Sequence, residues 1–218
     1  MNVQTSLLAA FAVLVAAPLS AQQHNDADRT IDGGGALLPG WHARVDRDRP
    51  MKDVKMTKLA DGWQIDNGPA IVLWRDDLKA SGNYSVTGTF KQVSSKGHAH
   101  GVGLVVGGKD MAGPNQVYTY FLVRGDGDFL VKTRTGNETA WVNKAWEKNA
   151  AVQVDKADGT NTNTLEIRVD KGQMIFLANG TEVFRKAATG LYTDGNFGVR
   201  LNHNLTIQVS NLAVKPLP

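Results

Sequence analysis

The chain has 218 residues, with 24 lysines and arginines against 21 aspartates and glutamates, a formal net charge of +3 and no cysteine. Basic residues are spread along the chain, which argues against a nucleic-acid partner, because phosphate binding needs a concentrated basic stripe. Without disulfides the fold must rest on its hydrophobic core, and a chain of about 200 residues is long enough for one domain with such a core.

Residues 1–21 are typical of a secretory signal peptide. An apolar run over 7–19 is followed by the small residues Ser20 and Ala21, and the run is too short to anchor a protein in a bilayer. We therefore expect cleavage near Ala21, a periplasmic or secreted location, and no membrane association after cleavage. Residues 22–40 are polar and then glycine-rich, without a helical or strand period, and are interpreted as a flexible N-terminal lead-in or at most an edge segment.

From residue 41 onward the sequence is typical of an all-β protein. Turn signals recur about every 8–12 residues, as in a sandwich or barrel, and no window shows a helical stripe. Turns at Asp61-Gly62, Lys171-Gly172 and Asn179-Gly180 each predict a hairpin. The strands predicted around these turns, together with a final pair that ends the chain, are 54–59, 63–66, 165–170, 174–178, 181–185, 197–201 and 205–214. We expect one domain over 41–218.

One predicted strand is unusually rich in glycine. Val102, Leu104 and Val106 alternate with glycines, so one face packs while the other is nearly bare backbone. Glycine weakens a strand interior unless something needs the space. Either a neighbouring tyrosine lies over the glycines, which is the preferred interpretation, or a ligand approaches the main chain.

His98 and His100 precede this strand and are two residues apart, as a metal-binding pair would be. His203 could converge with them, but no further ligand is apparent, so loop histidines that cap the strand are the preferred interpretation. The Gly-Asp-Gly-Asp run over 125–128 is explained by turn chemistry rather than by calcium. The sequence therefore predicts neither a metal site nor a cofactor.

The register of the hairpin over 118–134 decides which of its side chains face outward. A two-residue turn at Asp126-Gly127 would put Phe121 opposite Lys132 on the core face. A three-residue loop that ends with Gly127 in the left-handed position of a β-bulge keeps the apolar residues together. Their burial contributes about 25 cal/mol per Å² of apolar area, which outweighs any surface pair. We therefore predict that one face carries Thr119, Phe121, Val123, Phe129, Val131 and Thr133, and the other carries Tyr118, Tyr120, Leu122, Leu130, Lys132 and Arg134.

Several segments of the chain together resemble a known fold family. In chain order they are GVGLVVGG, VYTYFLVRGDG, FLVKTR, NTLEIRV, IFLANGTEV and GNFGVRLNHN. They look like the concanavalin A-like lectin and glucanase jelly roll, in particular like secreted bacterial members related to laminin-G-like and 3-keto-glycoside hydrolase-like domains, over roughly residues 50–215. The resemblance implies an all-β fold, a two-sheet antiparallel jelly-roll β-sandwich, and it does not fix a function.

The catalytic pattern of the glucanases is not found in the sequence. Retaining hydrolysis needs two carboxylates about 5 Å apart. The glutamates of this chain, Glu138, Glu147, Glu166 and Glu182, are not spaced to face each other along one strand. Jelly-roll polysaccharide lyases use Tyr, His and Arg instead, but their diagnostic motifs are absent as well. We therefore predict a protein without its own catalytic centre.

The outer face of the central hairpin is the predicted site of a carbohydrate-binding, lectin-like function. Exposed aromatic rings stack on sugar faces, and cationic side chains bind hydroxyls or a carboxylate. Trp141 and Trp146 lie in a polar, loop-like segment, where an indole is costly unless it is packed or bound. The predicted ligand-binding residues are Tyr118, Tyr120, Lys132, Arg134, Trp141 and His100, with the last two at the rim. The expected partner is a glycan or polysaccharide, and the protein is expected to be a monomer.

Three alternatives stay open. Tryptophans that cover the sandwich edge and ordinary cross-strand pairs would explain the same residues without a ligand. A glycoside hydrolase or polysaccharide lyase acting on the same face would use Tyr120 or His100 as base and Arg134 to stabilise charge. A non-catalytic envelope scaffold would need the sandwich only as a stable body.

Overall fold

The structure, a computed structural model, describes residues 27–46, 49–94 and 99–218. Within these ranges the secondary structure is β, apart from a single 3-10 turn at Met51–Asp53. The strands are β1 Trp41–Val45, β2 Val54–Lys58, β3 Trp63–Asn67, β4 Ile71–Ala80, β5 Tyr84–Ser94, β6 Val102–Lys109, β7 Val117–Val123, β8 Asp128–Thr135, β9 Glu138–Trp141, β10 Glu147–Lys148, β11 Asn161–Asp170, β12 Gln173–Ala178, β13 Thr181–Ala187, β14 Gly195–Leu201 and β15 Leu205–Pro216. No helix in the described ranges has the length and hydropathy needed to cross a bilayer.

The strands form two antiparallel sheets, of eight and seven strands in the described part of the chain. The eight-stranded sheet has the order β1-β4-β14-β6-β7-β8-β10, with β9 also paired to β8, and the seven-stranded sheet has the order β13-β12-β11-β5-β15-β3-β2. Because β14 lies between β4 and β6, residues 195–201 are placed close to the central hairpin of β7 and β8. This architecture confirms the predicted all-β, two-sheet antiparallel jelly-roll β-sandwich.

Three hairpins predicted from Gly-containing turns are present. β2 pairs with β3, β11 pairs with β12, and β12 pairs with β13. The turn residues have the positive φ angles that these turns require, at Gly62, at Lys171 and Gly172, and at Asn179 and Gly180. The last two predicted strands also form, but β14 and β15 lie in different sheets, so residues 202–204 cross from one layer to the other.

The hydrophobic core lies between the two sheets. Phe121 of β7 meets Phe176 of β12 with ring centroids 5.6 Å apart, and Phe129 of β8 meets Phe184 of β13 at 6.4 Å. Alternate residues of the strands reach this core because successive side chains of a strand point to opposite faces. Burial of this shared apolar layer is the main term that stabilises the sandwich.

The central hairpin has the predicted three-residue register. The Arg124 amide donates to the Asp128 carbonyl at 3.0 Å, and the Gly127 amide donates back to the Arg124 carbonyl at 3.0 Å. Gly127 has φ +88°, the left-handed conformation expected there. In this register Tyr118 pairs with Arg134 and Tyr120 pairs with Lys132. The predicted division of the hairpin into an inner and an outer face is therefore confirmed.

The outer face of the eight-stranded sheet carries a second apolar cluster, which the sequence did not predict. Its buried members are Val72, Trp74, Val105, Met111, Tyr118, Tyr120, Leu122 and Leu130, with Trp146 packed against them. Both tyrosines of the central hairpin are consequently buried, although they lie outside the main core. The expectation that this whole face would be open surface is wrong, because strands β4, β6 and β14 supply side chains that cover part of it.

The glycine-rich strand packs differently from the preferred interpretation. A Cβ added to Gly101 would lie 2.8 Å from the Trp146 ring, and one added to Gly103 would lie 2.0 Å from the Phe121 carbonyl oxygen. Gly107, at φ +67°, lies against the main chain of Tyr192. The nearest atoms at these three glycines therefore belong to a tryptophan ring and to neighbouring backbone.

The described part of the predicted lead-in, residues 27–40, contacts the sandwich. The Arg29 guanidinium donates to the carbonyl of Asn67 at 3.1 Å and to that of Leu205 at 2.5 Å, and its backbone amide donates to Asn204 Oδ1 at 2.8 Å. These bonds attach the segment to β3 and β15. The domain boundaries at 22–40 and 41–218 stay a prediction, and the predicted signal peptide over 1–21 lies outside the described residues.

Candidate functional site

Strand pairing aligns the outer-face residues of the eight-stranded sheet in rows that cross it. One row runs Val72, Arg200, Gly103, Leu122, Leu130, and the next runs Trp74, Gly198, Val105, Tyr120, Lys132, Trp141. Residues directly opposite on neighbouring strands share a face. The glycines in both rows leave room for the long side chains beside them. Arg200, Tyr120, Lys132 and Trp141 therefore lie together, although they come from four different strands.

Arg200 is held at the centre of this face by Asp46 and Tyr118. It is only 5% exposed. Its Nη2 donates to Asp46 Oδ2 at 2.6 Å and its Nη1 donates to the Tyr118 hydroxyl at 3.1 Å. The guanidinium also lies over the Tyr120 ring, 5.1 Å from its centroid. A buried charge needs this kind of pairing, since an isolated one would be too costly to desolvate.

Asp46 is shared between two guanidinium groups. Its Oδ1 accepts from Arg134 Nη1 at 3.2 Å and from Arg200 Nη1 at 3.4 Å, while Oδ2 accepts from Arg200 Nη2. Arg134 is further fixed by the Gly136 carbonyl, which accepts from its Nε at 3.0 Å. One carboxylate therefore serves two cations, and the site retains excess positive charge.

Burial raises the pKa of both hairpin tyrosines above the usual value of 10.0. Desolvation is the largest cause in each case, and it outweighs the opposing effect of Arg200. Tyr118 and Tyr120 are therefore neutral at ordinary pH. Their hydroxyl groups act as hydrogen-bonding groups and are poorly suited to act as bases.

The open side of the site is formed by Lys132 and Trp141. The Lys132 ammonium lies 4.3 Å from the centroid of the Trp141 ring, a cation–π contact, and the indole is 47% exposed. Desolvation and then Arg200 lower the pKa of Lys132 from the usual 10.5. On the other side, Arg124 lies 4.5 Å from the Trp146 ring centroid. Two indoles and their cations thus flank the buried arginines.

These side chains enclose a groove of about 350 Å³ on the outer face. We call it the outer-face groove. Its lining combines an aromatic floor and wall with amides, hydroxyls and charges: Asp46, Tyr120, Leu122, Leu130, Lys132, Arg134, Asn137, Thr139, Trp141, Trp146, Arg200 and Asn202. The groove therefore combines ring faces with fixed polar groups, and its lining is more polar than that of most small-molecule sites.

Four of the six residues predicted for the site line this groove: Tyr120, Lys132, Arg134 and Trp141. Tyr118 is 0% exposed and lies beneath it, where its hydroxyl holds Arg200. His100 is 6% exposed, lies outside the lining, and meets His203 with ring centroids 4.3 Å apart. Tyr120 and Arg134 are also buried, although they line the groove, so the expectation of an open surface is wrong for all four of these residues. The binding role of the groove stays a prediction.

The sequence did not single out Arg200, Asn202 or Asp46. A signal for the first two was present, because Arg200 in β14 and Asn202 directly after it alternate with the core residues Val199 and Leu201. Asp46 follows β1 and carried no comparable pattern. Trp141 and Trp146 were expected in a loop. Trp146 lies in the connection between β9 and β10, as expected, whereas Trp141 is the last residue of strand β9.

In the ranges that the structure describes, no group of three or more His, Asp or Glu side chains is arranged to hold a metal ion. His98, half of the histidine pair considered from the sequence, lies outside those ranges. A second cleft of about 380 Å³ lies beside Trp41 and Trp63. Their rings pack on each other at 4.7 Å, so these two indoles already use part of their aromatic surface.

The strand order defines a two-sheet antiparallel jelly-roll β-sandwich. The chain is similar to the carbohydrate-binding module CBM66 from Bacillus subtilis, with TM-score 0.58 and 11% identity over 81% of this chain and 95% of that one. It is similar to a Bacillus subtilis protein of unknown function with a galectin-like fold, with TM-score 0.57 and 13% identity over 81% and 89%. It is also similar to the β-glucanase of Bacillus licheniformis, with TM-score 0.53 and 9% identity over 84% and 95%.

At these identities the similarity is one of fold. No protein-family model matches the chain, and no curated protein matches it by sequence.

Proposed function

We propose that the protein binds a glycan in the outer-face groove. The observation that carries the proposal is the position of an exposed indole, Trp141, beside fixed hydrogen-bonding groups in one concave site. An indole face stacks on the apolar face of a sugar ring, while amides and cations select its hydroxyls. Of the structural neighbours, one is named a carbohydrate-binding module and another a β-glucanase, which supports the same class of ligand.

In this proposal the polar lining orients the sugar. Asn137 and Asn202 each offer an amide that both donates and accepts, and Lys132 offers a cation at the open side. Arg134 and Arg200 are held in place by Asp46 and so need little reorganisation on binding. The protein is exported and acts as a monomer, as the sequence suggests.

A glycan array tests the proposal directly. We expect the full chain to bind a subset of glycans and the Trp141→Ala variant to lose that signal. Val154→Ala is the matched control, because Val154 is also an exposed apolar side chain, 58% exposed, and lies outside the groove. The absence of any glycan signal with the unaltered chain would contradict the proposal.

Enzymatic turnover on the same face is the alternative function. The two residues proposed as its base are poorly suited to that role. His100 lies outside the groove, and burial raises the pKa of Tyr120, which keeps its hydroxyl protonated. If the unaltered chain released product from a polysaccharide in a panel and the Tyr120→Phe variant did not, the protein would be an enzyme rather than a binding protein without catalysis.

A further inference from the structure

The outer-face groove carries more positive than negative charge. Lys132, Arg134 and Arg200 line it, and Asp46 is the single acidic residue in the lining within the described part of the chain. Both guanidinium groups already share that carboxylate. Three cations therefore face one anion, and the surplus lies in a partly desolvated site where charge interactions are strong.

One donor of the Arg200 guanidinium, its Nε, has no hydrogen-bond partner among the described residues. The end of its guanidinium fork binds Asp46 through Nη1 and Nη2, and Nη1 also donates to the Tyr118 hydroxyl. The Nε is buried. Nη2 carries two hydrogens, one directed to Asp46 and one on the same side of the guanidinium as the Nε hydrogen. Nε and Nη2 therefore offer two nearly parallel donors along this edge. That geometry matches the two oxygens of a carboxylate or sulfate.

The protein holds this edge in a fixed orientation. Tyr118 and Asp46 fix the fork, and the Tyr120 ring lies under its plane. A buried donor without a partner costs about 1–3 kcal/mol, so a ligand oxygen that accepts from this Nε would remove that cost. Lys132 lies on the same row as Tyr120, beside the exposed Trp141 ring, and supplies a second positive charge at the open side.

We propose that the glycan bound in the groove is acidic, and that Arg200 and Lys132 bind its carboxylate or sulfate groups while Trp141 stacks on the sugar ring. This inference rests on the proposed function and specifies its substrate class. A neutral glycan would leave both the surplus charge and the Nε edge of Arg200 uncompensated. An anionic sugar unit of a polysaccharide, such as a uronic acid, would compensate the surplus charge and accept from the Arg200 Nε. Its ring would still stack on Trp141.

The test compares polysaccharides that differ only in charge. Binding of the full chain to polygalacturonate is measured by isothermal titration calorimetry beside fully methyl-esterified polygalacturonate, and chondroitin sulfate beside unsulfated, carboxyl-reduced chondroitin. We expect the charged member of at least one pair to bind about tenfold or more tightly than its neutral partner, with an affinity that falls as salt rises.

Two variants assign the effect to the groove. Lys132→Gln should weaken binding of the acidic polysaccharide about fivefold or more, since it removes one positive charge. Arg200→Lys keeps the charge but removes the two-donor edge, and should weaken it about tenfold or more. Lys91→Gln is the matched control, because Lys91 is exposed on β5 of the other sheet, and it should leave affinity unchanged. Circular dichroism of each variant confirms that it is folded.

The outcomes separate this inference from the proposed function. Equal binding of charged and neutral polysaccharides, abolished by Trp141→Ala, would overturn the inference and leave the proposed function standing. No binding of any polysaccharide would overturn both. Free galacturonate, acetate and inorganic sulfate can each be tested as competitors of the acidic polysaccharide. Acetate or sulfate that competed at the same concentration as galacturonate would show a site for small anions, and would likewise overturn the inference.

Discussion

Arg200 lies in β14 and Asp46 directly follows β1, far away in the sequence, yet Arg200 Nη2 lies 2.6 Å from Asp46 Oδ2 on the outer face of the eight-stranded sheet. The pair is possible because β14 is inserted between β4 and β6 while β1 pairs with β4. It fixes the guanidinium in the groove and links the stability of the fold to the geometry of the site.

Loss of Arg200 should therefore destabilise the protein. Arg200→Met removes the buried partner of Asp46 and should lower the free energy of unfolding by about 1.5–3 kcal/mol, as measured by urea denaturation. Arg185→Met is the control, because the exposed Arg185–Glu182 pair, at 2.6 Å, is screened by solvent and should contribute little to stability. Equal effects of the two substitutions would contradict a special role for the buried pair.

Tyr118 should act on binding only through Arg200. Tyr118→Phe removes the hydroxyl that accepts from Arg200 Nη1 and should cost about 1–3 kcal/mol of stability, with a small loss of glycan affinity. Tyr84→Phe is the matched control, since the Tyr84 hydroxyl donates to the Thr193 carbonyl at 2.5 Å away from the groove. The control should lose stability and keep its affinity; a loss of affinity in Tyr84→Phe as well would show a general effect of stability.

Trp141 should matter for binding and little for folding. Trp141→Ala removes a half-exposed ring at the sheet edge and should change the free energy of unfolding by less than about 1 kcal/mol. We expect the same variant to weaken glycan binding about tenfold, because sugar stacking is lost. Thermal melts and calorimetric titrations of one preparation measure both quantities. A Trp141→Ala variant that is clearly destabilised but keeps the glycan affinity of the unaltered chain would contradict this assignment.

Binding of an acidic glycan should weaken at alkaline pH. Burial and then Arg200 lower the pKa of Lys132 from 10.5, so its positive charge is lost as the pH rises through that lowered pKa. Burial raises the pKa values of Tyr118 and Tyr120 from 10.0, so their ionisation is moved toward more alkaline pH. Affinity measured from neutral pH to pH 10.5 should fall in the unaltered chain and stay level in Lys132→Arg, because the guanidinium keeps its charge. Parallel pH profiles would contradict the role of Lys132.

The same lowered pKa has a consequence for folding. The folded state binds fewer protons at Lys132 than the unfolded state does, so the contribution of this group to stability rises with pH between its folded and unfolded pKa values. Because Lys132 is partly exposed, solvent screens the effect and we expect it to be small.

The central hairpin loop should be sensitive at one position. Gly127→Ala introduces a Cβ at φ +88° and 3.0 Å from Val154 Cγ1, so it adds a close contact to backbone strain. Gly180→Ala, at φ +82° with nothing within 4 Å, adds strain alone, about 1–2 kcal/mol. Denaturant midpoints should fall further for Gly127→Ala than for Gly180→Ala. The reverse order would contradict the bulged register.

For the central hairpin, local patterns were sufficient to predict its two strands, its turn and the two faces of its strands. Alternation places Tyr118, Tyr120, Lys132 and Arg134 on one side of the sheet whatever the rest of the chain does. It carries no information on which distant strands will cover that side. Arg200 reaches Tyr118 only through the crossed strand order, so the burial of the tyrosines could not be read from the hairpin alone.

The outer-face groove is tested most directly by nuclear magnetic resonance of the indole N–H groups. The chain has five tryptophans, and two of them, Trp141 and Trp146, line the groove. Titration with an acidic oligosaccharide that the protein binds should shift the Trp141 and Trp146 signals and leave those of Trp41 and Trp63 in place. Shifts confined to Trp41 and Trp63 would put the ligand in the other cleft and contradict the account.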